Sequence, residues 1–178
     1  MFVFKFHLTT EEYLDYNYYT AWSSPAKKAY RFKYYLRVMV MYIAIAGLYI
    51  FAKRSHDPLV DYSVFLGIGF VYFLLVPVLV KRSIRMKVRQ ILADPENQHV
   101  LSESVVSMDE NGIQDKDTAS DNWYQWDQII KKAETTRCIY LYTNSYHAVV
   151  IPRRVISPGD RVGLELLFTR HLPLHATL

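Results

Sequence analysis

"YSVFLGIGFVYFLLVPVLV", residues 62–80, runs for nineteen residues without a charge. As a helix rising about 1.5 Å per residue it spans roughly 28 Å, which matches a hydrocarbon layer of about 30 Å. A second charge-free run lies upstream, from Val38 to Ala52. It is shorter, so the span is expected to begin near Tyr34, with Arg37 snorkelling toward the head groups and Tyr34 and Tyr35 in the interfacial belt. A chain of 178 residues has too little remaining bulk to wrap two such helices as a soluble core. Between them stands only "KRSHDPLVD", Lys53 to Asp61, in which Asp57 and Pro58 suit a tight turn. The reading is an antiparallel membrane hairpin, with spans at 34–52 and 62–80. Ala44, Ala46, Gly47, Gly67 and Gly69 are expected to let its backbones approach, and Pro77 to kink the second helix. Met1 to Leu8 is too short for a signal peptide, so both spans are expected in the mature protein.

Charge orients the hairpin. Lys27, Lys28, Arg31, Lys33 and Arg37 precede the first span, and Lys81, Arg82, Arg85, Lys87 and Arg89 follow the second. The loop carries only Lys53 and Arg54. That bias predicts both termini in the cytoplasm of a multi-pass membrane protein. Residues 27–89 hold twelve basic and two acidic residues, a net of +10. Residues 90–178 hold eight basic and twelve acidic, a net of −4. The positive excess therefore belongs to the membrane flanks, where it suits anionic lipid head groups, and no nucleic-acid footprint is expected on the remainder. The lone Cys138 has no disulfide partner within the chain and reads as a buried strand residue.

Four segments follow from pattern. Residues 1–33 form an N-terminal arm, in which Phe2, Phe4, Phe6 and Leu8 alternate as a short strand and Thr9 with Glu12 has capping-box spacing. Ser24 and Pro25 read as the start of the helix that enters the first span. The hairpin occupies 34–80. Residues 81–98 read as an amphipathic connector, with Ile84, Val88, Ile91 and Leu92 on one face, ended by Asp94 and Pro95. From residue 99 to 178 the period changes to that of strands. "HVLSESVVSM" has strand composition, Asn111 and Gly112 mark a hairpin, and "CIYLY" and "YHAVVIP" flank a turn at Thr143 to Ser145. Ser157, Pro158 and Asp160 open a closing helix. The fold class is a membrane α-helical hairpin plus a small α+β domain, a curved antiparallel sheet whose open end the C-terminal helix plugs.

Within that domain "NWYQWDQIIKKAE", residues 122–134, alternates aromatic and polar residues. Trp126 and Ile129 are expected in the core, and Trp123 with Tyr124 nearer the surface. "FHLTTEEYLDY", the two-span hairpin, "WDQI", "KKAE", "YLY" and "IPRRVI", in this order, resemble the bacterial YcxB-like proteins. The resemblance implies a C-terminal antiparallel barrel of pleckstrin-homology (PH-like) type. It implies no activity and no catalytic residues.

Chemistry-bearing constellations are sparse. The six histidines are scattered, and His171 with His175 is interrupted by Pro173. "DKDTASD" imitates half a calcium loop, but Ser120 and Trp126 stand where a glycine and a glutamate are wanted, so a solvated hairpin loop is the simpler reading. No phosphate-cradling glycine loop is present, and the spans carry no ionisable interior residue to line a pathway, which disfavours a transporter component. No catalytic residue, cofactor or metal is expected, and the protein is read as non-enzymatic. An enzyme would instead gather Asp, His and Cys residues, distant in sequence, into one pocket. The expected role is a membrane-tethered scaffold or regulatory module that binds a protein partner. Lys131, Lys132, Arg153, Arg154 and Trp123 are its candidate binding residues. The alternative is an anionic-lipid sensor, in which the two basic pairs meet on adjacent strands and face the bilayer. The glycine faces of the hairpin also suit a homo-oligomer.

Overall fold

The computed structural model describes residues 1–53 and 57–172. Arg54 and His56 of the connecting loop, and Pro173 and His175 of the tail, lie outside them. The chain divides into two compact units: Trp22–Ser83, and Met1–Ala21 together with the chain from Ile84 onward.

The first unit holds α2 (Lys28–Lys53) and α3 (Pro58–Ala93) as far as Ser83. Both helices are long and apolar enough to cross a membrane. Their apolar side chains are mostly exposed, with Phe51 at 84% and Leu66 at 73%, which is the surface a hydrocarbon layer would cover. Ser24 and Pro25 open the 3₁₀ turn that leads into α2. The helix is unbroken through Pro77.

The interface of the hairpin departs from the small-residue expectation. It is built from rings: Tyr42 on Phe65, Tyr49 on Phe65, and Tyr35 on Phe73, at centroid distances of 6.0, 5.5 and 5.4 Å. The Tyr42 hydroxyl donates to the Phe65 carbonyl at 2.8 Å, satisfying a polar group within an otherwise apolar helix pair. Gly69 admits the Tyr42 ring, because a Cβ there would lie 3.1 Å from it. Ala46 is buried, but Gly47 and Gly67 have nothing within 4 Å of a built Cβ. Large rings hold the helices apart, so most of the small residues are not needed at the contact.

The second unit begins with β1 (Phe2–His7), made before the hairpin, which pairs antiparallel with β2 (Glu103–Met108), made after it. Then follow β3 (Ile113–Lys116) and β4 (Asp121–Tyr124), completing a four-stranded sheet in the order β1-β2-β3-β4. The β2–β3 turn rests on Asp109, whose Oδ1 accepts from the Asn111 and Gly112 amides. Gly112 has no room for a side chain: a Cβ would lie 2.4 Å from the Tyr124 carbonyl oxygen. A second sheet, β5-β6-β7, comprises Lys131–Glu134, Cys138–Tyr142 and Ala148–Pro152. The strands thus form two antiparallel sheets, not one closed barrel. The extended reading of "HVL" also changes: residues 95–101 form a 3₁₀ helix capped by Asp94, and the strand begins at Glu103.

The core lies between the sheets. Phe4, Phe6, Val106, Met108 and Ile113 face Ile139, Leu141, Val149 and Ile151. α4 (Pro158–His171), capped by Ser157, adds Leu164, Leu167 and Phe168 to the same core. Trp126 and Ile129 are buried there as expected, the Trp126 indole N–H donating to the Asp109 carbonyl at 3.0 Å. Trp123 is 51% exposed. The outer face of the second sheet is buried as well. α1 (Thr10–Tyr18), started by the Thr9–Glu12 capping box, lays Tyr16 and the following Tyr19 against Tyr140 at 5.6 and 5.5 Å. Asp15 of α1 accepts from the hydroxyls of Tyr140 and Thr135, at 2.8 and 2.7 Å. The arm therefore supplies an edge strand to one sheet and a covering helix to the other.

Candidate functional site

Lys131 and Lys132 are consecutive on β5, so a strand sends them to opposite faces. Lys131 lies on the outer side, its ammonium 5.8 Å from the Tyr19 ring and 5.7 Å from the Tyr142 ring. Lys132 is buried on the core side, 2.7 Å from both Glu134 and Glu165 and 4.6 Å from the Phe168 ring. Arg153 pairs with Glu134 and donates its Nε–H to the Thr135 carbonyl at 2.8 Å. Arg154 clasps Glu12 through Nε at 2.8 Å and Nη2 at 3.2 Å, and reaches the His7 carbonyl at 2.6 Å. The two basic pairs do not meet on adjacent strands, because β6 runs between β5 and β7. Burial would raise the Glu134 carboxyl, but Lys132 and Arg153 outweigh it and hold the group below its usual range. Burial pulls Glu12 upward too, and the hydrogen bonds from Arg154 and Thr9 again prevail. Trp123 shields the β2–β3 turn, its ring lying 2.9 Å from where a Gly112 Cβ would stand.

A different site emerges from the register of the first sheet. Directly paired residues share a face, and Phe4, Val106 and Asp115 form one row across β1, β2 and β3. Phe4 and Val106 face the core, so Asp115 is a carboxylate at a core-facing position. It lies at the end of the sandwich away from α4, which packs over the Phe2 end of β1. There the first sheet, β7 and α1 bound a cleft of about 400 Å³, lined by Phe6, Leu8 and Val150 and by Asp115, Asp117, His99 and His147, with Val150 on the α1 side of β7. Tyr13, Tyr16 and Tyr146 complete its rim.

The walls are fixed by local bonds. Asp117 Oδ1 accepts from the amides of Ala119 and Ser120, closing the β3–β4 turn. His99 Nδ1 lies 2.9 Å from the Glu96 carbonyl. His147 is held by its amide, which donates to Asn144 Oδ1 at 2.8 Å, and its Nε2 stands 3.4 Å from the Tyr124 hydroxyl. The Tyr16 hydroxyl donates to the Tyr146 carbonyl at 2.5 Å, tying α1 to the β6–β7 turn. Asp115 is different: among the described residues its carboxylate has no hydrogen bond or ion pair. Burial, reinforced by the Asp117 charge and only partly offset by His147, pushes it up to about 6.

Five segments distant in sequence meet here, which no local motif announces. The only sequence signal was "DKDTASD", and its residues divide between roles. Asp115 faces the cleft, Asp117 closes the turn, and Asp121 pairs with Lys116 at 2.9 Å. Among the described residues no three His, Cys, Asp or Glu side chains assemble a metal-holding group. Cys138 does not line the cleft; it is buried in the cluster against which Tyr16 and Tyr19 pack, where burial and the nearby Glu12 and Asp15 charges push its thiol up to about 12.

Residues 109–168 match the family model of YcxB-like proteins. The match bears out the resemblance over this segment, which runs from the β2–β3 turn to Phe168 of α4. It covers both sheets except β1 and β2, and carries the Asp115, Asp117 and His147 walls of the cleft. No curated protein and no solved structure matches the chain.

Proposed function

We propose that this protein is a membrane-tethered recognition module, non-enzymatic, whose two-sheet domain binds a protein partner at the cytoplasmic face of a bacterial membrane. The basic flanks of the hairpin support an orientation with both termini in the cytoplasm. Four strands, three strands and a C-terminal helix over one core support a pleckstrin-homology-type architecture. The observation that carries the reading is the cleft, which is preformed and lined by tyrosines. It gathers Asp and His residues as an enzyme would, but Cys138 does not line it, and among the described residues no hydrogen bond couples Asp115, Asp117, His99 and His147 to one another as an acid–base pair. The lipid-sensor alternative has lost its main support, since Lys132, Arg153 and Arg154 are each held by carboxylates of their own chain.

A photo-crosslinking amino acid placed at Asp117, Trp123 or His147 of the full chain in living cells tests the reading. One defined protein is expected from the cleft positions 117 and 147, and its yield should collapse when the core is broken by Trp126→Ala. Recovery of lipid alone, or of the same chain alone, overturns the protein-partner reading.

A further inference from the structure

We propose that the cleft bounded by the first sheet, β7 and α1 is a binding site for an organic cation, an ammonium or guanidinium on an apolar stem, presented as a lysine or arginine side chain of the partner. In naming that partner's chemistry the site rests on the recognition role above.

Its volume falls in the range of about 300–1,000 Å³ typical of small-ligand pockets, enough for one long side chain and its flanking backbone. The lining is divided in the way such a side chain requires. Phe6, Leu8 and Val150 offer apolar surface to a stem, while Asp115 and Asp117 stand at the wall beyond them. The tyrosine rings of the rim suit a cation over their faces. No Lys or Arg lines the cleft, and the imidazole of His147 only partly offsets the carboxylates.

Asp115 gives the site its sign. A carboxylate at a core-facing register is costly unless paired, and the other packed carboxylates of this domain each have a partner: Glu12 has Arg154, Glu134 has Lys132 and Arg153, and Asp15 has the hydroxyls of Thr135 and Tyr140. Asp115 has none among the described residues. A guest ammonium or guanidinium supplies the missing partner, and a guanidinium does so through two parallel hydrogen bonds. An anionic guest would add a third negative charge to the same wall.

The test is binding of acetyl-arginine methylamide to the full chain in nanodiscs, followed through the ¹³Cε1 resonances of His99 and His147. Saturable shifts are expected with acetyl-arginine and acetyl-lysine methylamides. The neutral isostere acetyl-citrulline methylamide should bind at least tenfold more weakly. Asp115→Asn, which keeps the shape and removes the charge, should weaken arginine binding at least tenfold. Asp121→Asn, outside the cleft, should leave it unchanged. Equal binding of citrulline, or an unchanged affinity in Asp115→Asn, overturns the proposal. Spermidine binding far more tightly than either blocked amino acid overturns the side-chain source and makes the cleft a free-polyamine site. Capture of a protein from position 117 without any arginine binding sinks this site and leaves the recognition role standing. Arginine binding without protein capture does the reverse.

Discussion

At the scale of single residues, Asp115 is where this domain gives up stability. Its carboxyl is raised to about 6 from an ordinary 3.8, first by burial and then by Asp117. The folded state therefore binds the proton more tightly than the unfolded chain does. Stability falls as pH rises from about 4 to 6, and the full cost persists above that window. Asp117, His99, His147 and the tyrosines 13, 16 and 146 face the same cleft. Asp115→Asn removes the carboxylate's contribution alone. Discounted for its partial exposure, the expected gain is about 1–2 kcal/mol at pH 7.5, shrinking toward pH 4.5. Thermal unfolding of wild type and variant at the two pH values measures it, and an equal or larger gain at pH 4.5 would refute the assigned sign. A residue that costs stability in the free protein and finds its counter-charge in a guest is what a binding site requires.

Among the elements, α1 shows what the sequence disclosed and what it concealed. Its start was legible because a capping box is local: Thr9 and Glu12 lie three residues apart, and both reciprocal bonds form. The Asn111–Gly112 turn and the Ser157 cap were legible for the same reason. The partners of α1 were not, since Glu12 meets Arg154 across 142 residues and β1 pairs with β2 across the entire membrane hairpin. One clue lay in "CIYLY". A strand with apolar or aromatic residues on both faces needs cover on both, and only one covering helix had been assigned. The cleft was hidden more deeply, because five segments build it and none is unusual alone. Glu12→Gln tests the clasp, keeping the capping geometry while removing the charge. A loss of about 1–3 kcal/mol is expected at pH 7. Glu12 is held below its ordinary 4.5, so its contribution is present above that value and disappears as pH falls through the lowered one. Limited proteolysis should then cut within residues 1–21 sooner in the variant, and unaltered cleavage would show that α1 docks without the ion pair. Tyr140→Phe, which deprives Asp15 of one donor, should cost about 1 kcal/mol by thermal unfolding.

For the whole molecule, the order of elements joins membrane and domain. The chain lays down β1 and α1, makes the hairpin, and only then supplies β2, so the sheet unit cannot be completed until the hairpin has been made. Both ends of the hairpin must therefore lie on one side of any membrane it crosses. That topological requirement agrees with the proposed orientation, which rests on the charge bias of the flanks. Single-cysteine variants in a Cys138→Ala background separate the possibilities. Asp57→Cys, between the helices, should react with a membrane-impermeant maleimide in intact cells whose outer barrier has been opened. Asp117→Cys and Trp123→Cys should react only after the inner membrane is also permeabilised. Labelling of all three in intact cells would mean a surface-lying hairpin or an inverted topology. Deleting residues 1–21 makes the complementary prediction. The first sheet loses its edge strand and the second its covering helix, exposing Tyr140, Cys138 and the Phe4 face of the core. The buried thiol, unreactive in the intact chain, should then label readily, while α2 and α3 remain membrane-embedded. Persistent protection of Cys138 would show that the two sheets cohere without the arm, and that its pairing with β2 is dispensable to the fold.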